Sequence, residues 1–103
     1  RGGIVQGIGG ALYEHCVYSP EGQLLIGSMA DYLVPMAAEM PDIEVGHVET
    51  PTKESLLGAK GAGEAGCHGA TPAIVNAVID ALGVKEIDMP LTPEKVWRAL
   101  QRK

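Results

Sequence analysis

The feature that most constrains this chain is where its glycines fall. They recur at positions 2, 3, 7, 9 and 10 in GGIVQGIGGAL, and again at 58, 61, 63, 66 and 69 in GAKGAGEAGCHGATP. Glycine lowers helix stability yet removes the Cβ that would hold another surface away, so each run marks a place where something packs very close. From Gly3 to Tyr18 the apolar residues Ile4, Val5, Ile8, Ala11, Leu12 and Cys16 repeat at helical spacing. That spacing predicts a helix ending near Tyr18, ahead of the turn composition Ser19-Pro20-Glu21-Gly22.

Further along, Gln23 to Val34 carries an imperfect alternation that suits one or two strands closed by Pro35. A polar, Met-rich connector follows. Asp42 to Thr50 then sets Ile43, Val45 and Val48 against Glu44, His47 and Glu49, a strand with one wet face and a bulge marked by Gly46. Two helices close the chain. Thr71-Pro72 reads as an N-cap with proline at the first helical position, followed by Ile74, Val75, Val78, Ile79 and Leu82 and a stop at Gly83. Thr92-Pro93 repeats the device for a helix through Val96, Trp97 and Leu100, with Leu91 placed as a staple onto Val96. The expected fold class is α+β: an N-terminal helix, two to three strands, a Gly-rich loop and two C-terminal helices.

Composition narrows the function. Phe is absent and aromatics are 4%, so a core must come from aliphatic side chains and methionine. A net charge of -5 argues against nucleic acid as a partner. Cys16 and Cys67 lack the spacing of a disulfide framework or zinc site, which fits a reducing cytoplasm, and no apolar run is long enough to span a membrane. The chain starts with Arg1 inside an apolar Gly-rich run, and it is read as a single fragment, residues 1–103, of something longer.

The chemistry concentrates in Gly61-Ala62-Gly63-Glu64-Ala65-Gly66. The string is a formal GxGxxG match, but Ser55-Leu56-Leu57 is a poor substitute for the buried strand a dinucleotide fingerprint requires, and a carboxylate at Glu64 would repel phosphate. A bland reading is a flexible connector with a solvated Glu. The sharper one holds that small residues admit backbone against a large flat ligand, with a helix start nearby and one carboxylate placed as a general base.

GAKGAGEAG, followed by TPAIVNAVIDALG and IDMPLTPEKVWRAL, resembles the C-terminal end of the molybdenum-binding large subunit of the xanthine dehydrogenase, aldehyde oxidase and aerobic carbon monoxide dehydrogenase family. The opening GGIVQGIGGALYEHCVYSPEGQLL is similar to an upstream family segment, so the likeness covers essentially the whole chain. It implies hydroxylation of an aldehyde, an N-heterocycle or purine, or carbon monoxide with water as oxygen source, and Glu64 as the catalytic base. It also implies that Lys60, Gly61, Ala62 and Gly63 run against molybdopterin cytosine dinucleotide, largely through main chain.

The same likeness implies partners: the remainder of the large subunit, [2Fe-2S] and FAD subunits or domains, and a small-molecule substrate. A copper-defining cysteine loop and the family's cofactor-contacting Gln would lie upstream, and Gln6 is not that residue. The chain departs from the family at Cys67-His68, where relatives carry small or apolar residues. Cys67 reads as a buried filler, His68 as hydrogen-bonded structure or a substrate contact, and His15 and His47 have no metal-ligand spacing. The competing class is a non-catalytic interaction module or a degenerate remnant of such a subunit.

Overall fold

The computed structural model describes residues 1–102. Three helices carry the fold: α1 (Gly2–Leu12), α2 (Ala65–Leu82) and α3 (Pro93–Gln101), with a short 3-10 turn at Ala37–Glu39. The main packing is α1 against α2. Small residues line up across it. A Cβ at Gly3 would lie 3.1 Å from Gly66 Cα, and one at Gly7 would lie 2.7 Å from the Ala70 Cβ. Positions 3 and 7 on one helix thus oppose 66 and 70 on the other, and the missing side chains let the backbones meet. Thr71 adds a polar tie, its Oγ1 donating to Gly7 O across the pair at 3.0 Å.

α1 is shorter than its apolar spacing predicts, stopping at Leu12 with Tyr13 as its C-cap. The cause is a competing hairpin. Leu25 N–H donates to Val17 O, Ser19 N–H donates to Gln23 O, and Gly22 closes the Ser19-Pro20 turn at φ +86°. Val17 and Tyr18, β-branched and aromatic, suit that extended pairing better than a last helical turn.

α2, by contrast, starts earlier than Thr71-Pro72 predicts: the helix begins at Ala65 and contains Pro72. Proline removes one backbone bond there, but the turn before it lies in contact with α1 through Gly66 and Ala70, and that packing outweighs the local preference. The two local stop and start signals further on act as the sequence predicts. Gly83 caps α2 in the left-handed conformation, and Thr92 accepts from Lys95 N–H with Pro93 next in line. Leu91 is buried, and its N–H donates to Ala11 O, which fastens the start of α3 to the end of α1.

The expected strands do not assemble into a sheet. Among the described residues the one β-bridge joins Tyr18 to Leu24, and Asp42 to Thr50 runs without strand or helix. A strand requires a ladder partner, and the segment has none among the described residues. More broadly, this chain does not bury itself. Its radius of gyration is 17.4 Å, against about 13 Å for a compact domain of 100 residues. Its accessible surface is 8132 Å², where a folded monomer of this mass would expose about 5,500 Å². Among the large apolar side chains, Val48 is 92% and Leu57 91% exposed, while the buried hydrophobic residues among those described are Ala11, Leu82 and Leu91. Among the described residues no helix is long and apolar enough to cross a membrane.

Candidate functional site

The Gly-rich loop delivers Glu64 to the N-terminus of α2, where it is the N-cap residue. Its backbone carbonyl accepts from Cys67 and His68 N–H at 3.1 and 3.2 Å, which begins the helix. Its side chain makes no capping hydrogen bond. The carboxylate therefore stands beside the positive end of the helix dipole without being consumed by it. His68, one turn on, places its Nε2 3.8 Å from the Glu64 Oε2, with both side chains mostly exposed. An exposed pair at that separation holds the carboxylate only weakly.

Before Glu64 the loop presents bare main chain. The N–H groups of Ala59 to Glu64 make no hydrogen bond among the described residues. A Cβ at Gly61 or Gly63 would meet no atom within 4 Å. A run of free donors leading into a helix N-terminus suits a ligand rich in phosphate and carbonyl oxygens, and small residues leave room for it to lie close. Lys60 is turned to one side, its Nζ donating to Thr50 Oγ1 at 2.6 Å. Thr50 was invisible as a loop contact from sequence, because nothing in its spacing ties it to a lysine ten residues later.

The other singled-out residues fall away from this group or stay peripheral to it. Cys67 Sγ donates to the Glu64 carbonyl at 3.3 Å, and both cysteines are free thiols. His15 and His47 join no group of three or more potential metal ligands among the described residues. One cleft of about 600 Å³ lies beyond the C-terminal end of α2, lined in part by Val84, Ile87, Lys95 and Arg98, and another of about 410 Å³ lies beside the middle of α2, lined in part by Thr71, Val75 and Met89. Neither includes Glu64. The carboxylate and the free donors share an open surface, not a closed cavity.

Bare glycine backbone, a helix N-terminus and an acid whose side chain makes no capping hydrogen bond lie together on this surface. Residues 1–41 match the family model described as the molybdopterin cofactor-binding domain. The chain is 45% identical over 102 residues to the nicotine 6-hydroxylase large subunit of Paenarthrobacter nicotinovorans, covering 96% of this chain and 12% of that one. It is 36% identical to the carbon monoxide dehydrogenase large chain of Hydrogenophaga pseudoflava, covering 98% and 13%. The crystal structure of quinoline 2-oxidoreductase from Pseudomonas putida 86 superposes with a TM-score of 0.88 at 40% identity, over 100% of this chain and 14% of that one. The chain belongs to the xanthine dehydrogenase, aldehyde oxidase and carbon monoxide dehydrogenase family of molybdenum-binding large subunits, as a segment of one. It spans about one eighth of the length of the curated relatives it matches.

Proposed function

We propose that this chain is the C-terminal part of a molybdenum hydroxylase large subunit, that Glu64 is the general base, and that Lys60 to Gly63 contribute main chain to the cradle of molybdopterin cytosine dinucleotide. The observation that carries the reading is the pairing of an unengaged carboxylate with the adjacent run of unbonded N–H groups. The donor set fits the group: free N–H groups for its oxygens, and glycines where a Cβ would intrude. When bound, the cofactor accepts two electrons and activates the water-derived oxygen that is transferred.

Hydroxylation replaces a substrate C–H with C–OH, releasing two electrons and two protons. Glu64 receives one of those protons at a carboxylate oxygen, its backbone held as the N-cap of α2. The glycines at 61 and 63 keep the approach open. The free N–H groups orient the cofactor's polar edge and leave the carboxylate uncommitted. In the reading proposed, the remainder of the subunit roofs the open surface and excludes water, and [2Fe-2S] and FAD partners carry the electrons away in the cytoplasm. An N-heterocycle ranks first among the candidate substrates, ahead of an aldehyde or carbon monoxide. Support comes from the names of two similar proteins, a nicotine hydroxylase and a quinoline oxidoreductase.

The test is Glu64→Gln in the complete enzyme, with molybdenum measured on the same preparation. Turnover should fall by at least about 100-fold, the scale on which a positioned base contributes, while molybdenum content is unchanged. Near wild-type turnover would remove Glu64 from the role of base.

A further inference from the structure

Residues 42 to 50 are the part of the chain that the fold leaves least explained. No backbone hydrogen bond joins residues 41 to 51 to anything among the described residues, although each of these residues has a carbonyl to satisfy and all but the prolines an N–H. The course is nevertheless defined: Arg1 holds Asp42 at 2.9 Å at one end, and Lys60 holds Thr50 at the other. It also belongs to a path that superposes along its whole length on a solved chain roughly seven times longer. A segment with fixed ends, an alternating sequence, and neither helix nor ladder among the described residues has the character of a strand lacking its neighbour.

The side chains define the face such a neighbour would cover. Strict alternation puts Ile43 and Val45 on one side and Val48 on the other. One extra residue at Gly46 shifts the phase, so that Ile43, Val45 and Val48 share a face while Asp42, Glu44, His47 and Glu49 share the opposite one. A Cβ at Gly46 would touch nothing within 4 Å, so packing inside this chain does not account for the glycine. Val45 and Val48 are 44% and 92% exposed, which leaves that apolar face uncovered. A second copy of the segment is a poor neighbour. Three carboxylates and no lysine or arginine lie between residues 42 and 50, and pairing two copies would bring six carboxylates together.

We propose that residues 42–50 enter a β-sheet by pairing, through a bulge at Gly46, with a strand in the part of the large subunit outside this chain. The inference rests on the reading of this chain as one segment of such a subunit. Its consequence is functional as well as structural. Thr50 ends the strand and receives Lys60, so the sheet would anchor the base of the loop that carries Glu64.

Residue-resolved hydrogen exchange on the intact holoenzyme tests the proposal. Amides between 43 and 50 should exchange at least about 100-fold more slowly than an unstructured chain, alternately if one side is paired and consecutively if both are. Deleting Gly46 removes the extra residue and leaves Ile43, Val45 and Val48 on one face of a regular strand, so protection should persist on both sides of the deletion. Exchange at the unstructured rate throughout, protection that depends on protein concentration, or loss of protection beyond residue 46 in the deletion variant would each overturn the proposal. The catalytic reading fails separately: protection of 42–50 with turnover retained in Glu64→Gln would sink the base and leave the strand standing.

Discussion

Replacing Gly7 with alanine tests whether the fold depends on the close approach of α1 and α2. The new Cβ would stand 2.7 Å from the Ala70 Cβ, 3.1 Å from Cys67 O and 3.2 Å from Thr71 N. Carbon atoms rest at about 3.5–4.0 Å, so the helices must separate by roughly 0.8 Å or more. That movement would stretch the Thr71 Oγ1 to Gly7 O bond from 3.0 Å and loosen the contact of Gly3 with Gly66. Overpacking of this kind costs about 1–3 kcal/mol.

Alanine also favours the helix over glycine by about 1 kcal/mol, which would mask part of that cost. Gly10→Ala supplies the control, because its Cβ would meet only Thr71 Oγ1, at 3.9 Å. The propensity gain is common to both variants, so their difference isolates the overpacking. Native-state hydrogen exchange of the α1 amides in the full subunit reads it: a gap of about 1–3 kcal/mol is about a 5- to 150-fold faster opening in Gly7→Ala. Adding Ala70→Gly should restore most of the protection. Equal exchange in the two single variants, or no rescue by Ala70→Gly, would refute the reasoning.

Two further outcomes follow from named contacts. Thr92→Ala removes the side chain that accepts from Lys95 N–H, and it should destabilise α3 by about 0.5–2 kcal/mol, measured as loss of exchange protection over residues 93–101. Tyr32 donates to Glu14 Oε1 at 2.7 Å, and this bond, with smaller contributions from burial and the charges of Glu14 and Cys16, raises the phenol above the ordinary tyrosine range. The folded state thus prefers the protonated phenol. Its contribution is fully present below the unfolded tyrosine pKa of about 10 and is lost as pH rises through the higher folded value. Melting curves of wild type and Tyr32→Phe should accordingly differ at pH 7 and converge at strongly alkaline pH, and a difference that persists there would refute the assignment.

Much of this protein is legible where the governing interactions are local. Thr92-Pro93 starts α3 and Gly83 stops α2 because a cap involves only residues within one turn of each other. The Gly-rich loop is legible for the same reason. Its small residues and its single acid are adjacent in the chain, and the helix that begins at Ala65 takes Glu64 as its N-cap. Thr50 beneath Lys60 was not legible, since that contact depends on how two loops fold back.

By itself the sequence determined the Gly83 and Thr92 caps and a small-residue loop carrying one carboxylate, all set by backbone preferences over a few residues, while the cap expected at Thr71 gave way to one at Glu64. Only the tertiary structure decided where α1 ends, where α2 begins and whether 42–50 forms a ladder. The 17–25 hairpin takes residues that helical spacing had assigned to α1, and contact with Gly3 and Gly7 starts α2 before Pro72. Each of those outcomes turns on a partner distant in sequence, and propensities of a few tenths of a kcal/mol per residue yield to such a partner when it is present. Where no partner is present among the described residues, as at residues 42–50, an alternating pattern forms no ladder.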